Sequence, residues 1–206
     1  MAVDALITAG GKGTRMRELG GEKPMIPVLG RPLIDYVLDA VRGSRSVGDV
    51  YVSVSDNTPL TRAYLKERGV NVIETSGEEY AHDLGQALGA LRTDQVLICP
   101  ADMPLMSSRE IDDIIGGYSR SGVESYSVAI PHEMLQRLGA RPTTYRFTVG
   151  GVDTVLCGIS VVDRKKMVSG AVLTEGYLVM RSEDLALNVN TADDLRAAEK
   201  RLRERA

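Results

Sequence analysis

The stretch AGGKGTRMRELGGEKP, residues 9–24, decides how the rest of the chain is read. It follows the apolar run VDALIT (Val3–Thr8) and holds five glycines, four basic residues and almost nothing that packs. Glycine lacks a Cβ, so successive backbone N–H groups can close around a polyphosphate and form an anion nest. The familiar phosphate motifs do not fit. A dinucleotide fingerprint needs a third glycine where Met16 stands, and the ATPase phosphate loop needs Gly-Lys-Ser or Gly-Lys-Thr where this chain has Gly11-Lys12-Gly13. What remains is a loop in which Ala9, Gly10, Gly11, Lys12, Gly13 and Thr14 offer backbone to a nucleoside triphosphate while Arg15 and Lys23 bracket its phosphates. Arg supplies a planar fork for two oxygens, whereas Lys is a point charge on a flexible stem that can follow the α-phosphate during displacement. A solvated glycine-rich turn is the plain alternative, and the position of the loop after a buried strand weighs against it.

Working outward, Leu33, Ile34, Val37, Leu38 and Val41 recur at helical spacing behind Arg31-Pro32, so the opening reads strand, loop, helix. DVYVSVS (residues 49–55) is a second strand, Asn57-Thr58-Pro59 caps a helix that stops at Gly69, and VNVIET is a third strand. A helix over Tyr80 to Leu91, the strand VLIC and a helix behind the capping box of Ser107 and Glu110 follow. This alternation predicts a three-layer α/β/α Rossmann-like fold with right-handed crossovers and a mostly parallel sheet. After Gly122 the pattern changes: SYSVAIP, TTYRFTV and DTVLCGISVV read as strands with little helix between them, which predicts an antiparallel element in the second half. LALNVN (Leu185 to Asn190) reads as a last strand. Thr191 with Asp194 caps a final helix, whose charged end pairs Glu199 with Arg203 and reads as solvated. Residues 1–206 are expected to form a single domain.

Hydrophobic residues make up 43% of the 206 and charged residues 26%, enough apolar surface for a core without disulfides. A net charge of -3 argues against a broad nucleic-acid or anionic-membrane footprint, so the basic loop points to a small anionic ligand. Cys99 and Cys157 follow apolar stretches without a second ligand at metal spacing and read as buried thiols. With no signal-peptide pattern and no run of about 18 apolar residues, the expectation is a cytoplasmic chain without stable membrane insertion. A homo-oligomer is compatible with the sequence. His82 and His132 lack partners at the spacings of a nucleophile or metal site.

Other candidates sit where strands end. PADMP places Asp102 just beyond the fourth strand, at the edge shared with the glycine loop; turning a loop is its ordinary alternative. Alternation in LALNVNT puts Asn188 and Asn190 on one face, either for a ligand or as strand-end caps. Ser55, Asp56 and Asn57 after the second strand, and Gly77, Glu79 and Asp83 after the third, can meet a purine edge or serve as caps. Gly158 inside a strand pattern signals a bulge or the close approach of another group.

AGGKGTRM together with EKPMIPVLGRPLIDYV resembles the opening signature of nucleotidyltransferases that couple a nucleoside monophosphate to a phosphorylated acceptor. SDNTPLTRAYL, ETSGEEYAHDLGQAL and LNVNTADDLRAAE extend the likeness over nearly the whole chain. Within that superfamily the chain resembles the molybdenum cofactor guanylyltransferases and, more closely, the archaeal GTP:adenosylcobinamide-phosphate guanylyltransferases. The resemblance implies that GMP passes from GTP to a phosphorylated corrinoid acceptor, with Arg15, Lys23 and Asp102 as the catalytic set. It further implies Asp102 as a Mg²⁺ ligand, Asn188 and Asn190 beside the triphosphate and acceptor phosphate, and Gly158 near the acceptor. Other acceptors, such as molybdopterin, a sugar phosphate or a phospholactate, and a regulator that binds nucleotide without transfer, are the alternatives. Residues 126–152 match least, and there the acceptor is expected to be read.

Overall fold

A computed structural model describes residues 3–13, 21–140, 142 and 144–205. VDALIT forms β1 (Val3–Thr8). The described part of the glycine loop ends in a 3-10 turn, Lys23–Met25, and the hairpin strands β2 (Pro27–Val28) and β3 (Arg31–Pro32) precede α1 (Leu33–Gly43). The next elements alternate as expected: β4 (Val47–Val54), α2 (Pro59–Glu67), β5 (Asn71–Glu74), α3 (Tyr80–Ala90), β6 (Gln95–Pro100) and α4 (Ser108–Ser121). The second half carries β7 (Ser125–Pro131), α5 (His132–Leu138), β8 (Phe147–Val149), β9 (Val152–Asp163), α6 (Arg164–Val168), β10 (Glu175–Val179) and α7 (Ala192–Arg205).

The main sheet runs β10-β7-β9-β6-β1-β4-β5, with β8 added to β9. β1 pairs in parallel with β4 on one side and β6 on the other, and β4 continues in parallel to β5. The chain leaves β1 toward β5 and returns to β6 on the opposite side. That reversal opens a crevice at the carboxyl ends of β1 and β6, the usual ligand position in such sheets. β9 is the predicted antiparallel element, inserted between β6 and β7, while β10 is parallel to β7.

Period-two alternation assigns the layers. Ala5, Ile7, Leu97 and Cys99 face α1 and α4, where Ile34, Val37, Leu38, Val41, Ile111 and Ile114 complete the larger core. Leu6, Val96 and Ile98 face α3 and its Leu84, Ala87 and Leu88. The capping box forms as predicted: the Ser107 hydroxyl accepts from the Glu110 N–H while the Ser107 N–H donates to the Glu110 carboxylate.

Two local expectations are corrected and two are extended. Leu185–Asn190 is not a strand: among the described residues no strand pairs with it, and its Val189 N–H donates to the Asp102 carbonyl at 2.9 Å. Its alternation nevertheless holds, with Leu187 and Val189 buried beneath α7. TTYRFTV contributes only Phe147–Val149 as strand. Arg31-Pro32 precedes α1 as expected, with Pro32 at its N-cap, and is also the second hairpin strand. The charged end of α7 is exposed at Lys200, Arg203 and Glu204, and Arg203 lies 3.9 Å from Glu199 as expected, while Arg205 also donates to the Leu105 carbonyl at 3.0 Å and Arg201 pairs with Glu183 and with Asp184 at 3.3 Å. Among the described residues, no helix is long and apolar enough to cross a membrane.

Candidate active site

Three segments distant in sequence meet at the crevice. Lys23, from the 3-10 turn, places Nζ 2.5 Å from Asp102 Oδ2 and 2.9 Å from Asn190 Oδ1. Asp102 Oδ1 accepts from the Asn188 amide at 2.9 Å, so both carboxylate oxygens have donors. The Lys23 and Asp102 side chains are only 17% and 16% exposed, which makes their mutual compensation necessary: either charge alone would be costly there. Lys23, Asp102 and Asn190 line a cleft of about 300 Å³ with Thr8, Ala9, Gly11, Gly13 and Pro100, while Asn188 supports Asp102 without lining it.

A second cleft, about 340 Å³, lies on the other side of the glycine loop and is lined by Gly10, Gly11, Lys12, Gly77, Glu79 and Asp83, among others. Its walls are tied together by side chains. The Ser55 hydroxyl donates to the Gly10 carbonyl at 2.6 Å, and the Asn57 amide donates to the Gly77 carbonyl at 2.9 Å. Asp83 accepts from the Gly77 N–H at 2.9 Å and from the Ser76 hydroxyl at 2.7 Å. Gly77 has a φ of +73°, and a Cβ there would stand 2.4 Å from the Asn57 amide nitrogen, so only glycine closes this corner. Ser55 and Asn57 thus stand behind the cleft wall, while the Asp56 side chain, 93% exposed, points to Arg62. Thr14 and Arg15 lie outside the described residues.

Glu22 was not legible as a site residue. Its carboxylate accepts from the Leu60 and Thr61 N–H groups, each at 2.6 Å, and from the Thr61 hydroxyl at 2.5 Å. It therefore caps α2, where Thr58 makes no side-chain cap. A carboxylate at a helix N-terminus satisfies orphan donors and opposes the dipole. Here it also clamps the residue that precedes Lys23. Only its adjacency to Lys23 marked it in the sequence. Tyr80, also unforeseen, opens α3 and lines the second cleft; the residue is 62% exposed, yet burial raises its phenol, the Cys99 sulfur adds to this, and the Thr8 hydroxyl opposes it.

Gly158 lines neither of these clefts. It lies in a true bulge of β9, where the register to β7 slips between Ser127 and Ala129, and its φ is +94°. The buried thiols of Cys99 and Cys157 are both pushed up to about 12, chiefly by burial. His132 and His82 line neither cleft.

Comparison with known proteins agrees with this geometry. Residues 5–168 match the family model of the MobA-like NTP transferase domain. The adenosylcobinamide-phosphate guanylyltransferase of Methanocaldococcus jannaschii is 33% identical over 98% of both chains. Among solved structures, a CMP:2-keto-3-deoxy-manno-octonic acid synthetase complexed with CTP superposes with a TM-score of 0.73 at 13% identity, covering 100% of each chain. The 4-diphosphocytidyl-2C-methyl-D-erythritol synthase of Anaerococcus prevotii gives 0.68 at 14% identity, covering 98% of each. These two similarities establish the shared fold. With its glycine loop, its crevice at the β1/β6 reversal and a family match over most of its length, the chain belongs to the MobA-like NTP transferase family and is a nucleotidyltransferase.

Proposed function

We propose that the protein transfers the GMP unit of GTP to the phosphate of adenosylcobinamide phosphate, forming adenosylcobinamide-GDP and releasing pyrophosphate. The observation that carries this reading is the meeting of Lys23, Asp102, Asn188 and Asn190 at the crevice of a chain matched end to end by an enzyme of that name. The triphosphate lies along the glycine loop, and the base enters the second cleft, where Glu79 and Asp83 stand opposite Lys12.

An oxygen of the acceptor phosphate attacks the α-phosphorus in line. The bond from that phosphorus to the bridging oxygen breaks, and pyrophosphate leaves with the oxygen and the electron pair. The nucleophile is already ionised at neutral pH, so no general base is needed, and neither histidine lines the clefts. Lys23, held on Asp102 and Asn190, turns its ammonium to the α-phosphate oxygens as charge builds there. Arg15 is assigned to the phosphates on the same electrostatic ground.

Mg²⁺ fits the donor set, since the Asp102 carboxylate and the Asn190 amide oxygen suit a hard cation that takes its remaining ligands from water and phosphate. Asp102 and Asn190 would hold it, with Asn188 orienting the carboxylate, and bound there it would neutralise charge on the triphosphate. We take the chain to act as one domain in the cytoplasm, where its two free, buried cysteines stay reduced.

The test is pyrophosphate release by the purified protein with GTP alone, with GTP and adenosylcobinamide phosphate, and with ATP in place of GTP. Release that needs both GTP and the corrinoid is the expected result. Release with glucose 1-phosphate or molybdopterin, and none with the corrinoid, overturns the acceptor assignment.

A further inference from the structure

On the face of the sheet that α3 covers, an apolar cluster runs across β1 and β6 and ends at Val162 of β9, with Met167 of α6 against it. Leu6, Val96 and Ile98 fill the space beneath α3. Farther along the same face, β7 and β9 present Ser125, Ser127 and Ser160, with Ser127 directly opposite Ser160 and Ser160 opposite Ile98. α6, the helix beside them, has only five residues. Small side chains under a short helix leave a hollow of about 220 Å³, which Tyr80, Leu84, Met167, Leu156 and Gly158 also line.

Three properties set this hollow apart. Among the described residues that line it none carries a charge, whereas the first cleft has Lys23 and Asp102 and the second has Lys12, Glu79 and Asp83. It is continuous with the nucleotide clefts: Tyr80 and Leu84 line it and the second cleft together, and Gly158 lies against Pro100, which lines the first. Its outer side is aromatic. Tyr177, in register with Ser127, meets Phe147 in a tilted ring contact at 5.1 Å, and Phe147 meets Tyr145 at 6.1 Å. Tyr145 is 78% exposed, in a chain that has one Phe and no Trp.

We infer that this hollow holds an uncharged, amide-bearing part of the acceptor next to its phosphate, with Tyr177, Phe147 and Tyr145 covering an adjoining flat surface. Three hydroxyls on an apolar floor can each donate and accept, which matches neutral carboxamides, and no charged side chain lines the hollow to pair with an ionised group. The bulge at Gly158 lets the floor approach Pro100, so an acceptor seated here reaches the first cleft with its phosphate. The inference rests on the transfer reading above for the existence of an acceptor.

The test fills the hollow. Ser127→Leu and Ser160→Leu are compared with wild type for GTP affinity by calorimetry and for acceptor KM in the pyrophosphate assay with adenosylcobinamide phosphate. Acceptor KM is expected to rise about ten-fold or more in each, with GTP affinity within two-fold of wild type; retained GTP affinity also shows that the variants fold. Ser127→Ala, which keeps the space, should move KM far less. Wild-type turnover with unchanged acceptor KM in both leucine variants overturns the hollow and leaves the transfer reading intact. No wild-type turnover with the corrinoid overturns the transfer reading. Turnover with glucose 1-phosphate instead overturns the hollow as well, and so does no heat on titrating cobinamide into the GTP-loaded protein.

Discussion

The two halves of the sheet are built in different ways. In the first half β1, β4, β5 and β6 are parallel, and the loops at their carboxyl ends are tied to one another through Ser55 to Gly10, Asn57 to Gly77, Gly77 to Asp83 and Glu22 to α2. From β7 to β10 the order is broken by antiparallel β9, and surface ion pairs such as Arg146 with Asp153 and Arg181 with Glu133 hold the periphery. Such exposed pairs contribute about 0–1 kcal/mol each. On the transfer reading, the tied loops lie where a triphosphate would be aligned for in-line attack, and the other half leaves latitude where a larger acceptor would be received. Lys23, Asp102 and the Asn188–Asn190 segment form the seam between the halves.

The largest effect is expected from breaking that seam. Lys23→Ala should lower kcat by about 10²–10³-fold, the range found when one donor to a developing oxyanion is removed. Lys23→Gln retains a hydrogen-bond donor for Asp102 but no charge. An equal loss in both variants would assign the effect to the ammonium. If steady-state turnover of Lys23→Ala stays within two-fold of wild type, Lys23 only ties the segments together and the chemistry belongs elsewhere.

The two halves also differed in how far their sequence could be read. Parallel strands buried on both faces announce themselves as apolar runs, and each is punctuated by Gly, Pro or a capping pair; β1, β4, β6, α3 and α4 therefore fall where periodicity puts them. In the second half, TTYRFTV carries the β-branched and aromatic composition of a strand, but pairing with β9 extends only over Phe147–Val149. LALNVN shows strand alternation for a different reason: one face packs under α7 and the other turns to Asp102, without a neighbouring strand. In the site, residue types that bind phosphate were visible one by one. The partners of Glu22 and the serine floor depend on contacts 38 residues apart and on cross-strand register, which local patterns do not encode.

Glu22 sharpens the comparison at intermediate size. Glu22→Ala removes the acceptor of two N–H groups at the start of α2 and should cost roughly 0.5–2 kcal/mol, the range for a lost N-cap. Because the same residue fixes the entry to Lys23, kcat and GTP KM should worsen several-fold while acceptor KM holds. Glu22→Gln, which keeps one acceptor oxygen, should recover part of both losses. Denaturant titration and steady-state kinetics with each substrate varied supply the two readouts. A rise in acceptor KM alone would show that the division of labour between the halves is drawn in the wrong place.

The smallest effect asks whether the halves, though built differently, unfold together. Cys99 lies in β6 and Cys157 in β9, both inside the larger core, and burial pushes both thiols up to about 12. A thiol that stays neutral in the folded chain ionises near pH 8.5 once unfolded, so the stability it contributes is complete below that value and is lost as pH rises toward 12. The limiting slope is about 1.4 kcal/mol per pH unit for each thiol. The raised phenols of Tyr51, Tyr64, Tyr80, Tyr118 and Tyr177 act with the same sign at higher pH. Between pH 8 and pH 10 the drop in Tm should be smaller in Cys99→Ala and in Cys157→Ala than in wild type, and by a similar amount in each. Comparing each variant with itself at the two pH values removes the constant cost of the small cavity. A single shared core predicts equal flattening of a single transition. If only Cys157→Ala flattens an early transition while the later one is untouched, the β7–β10 half opens first, and the latitude inferred for the acceptor side is a difference in stability as well as in architecture.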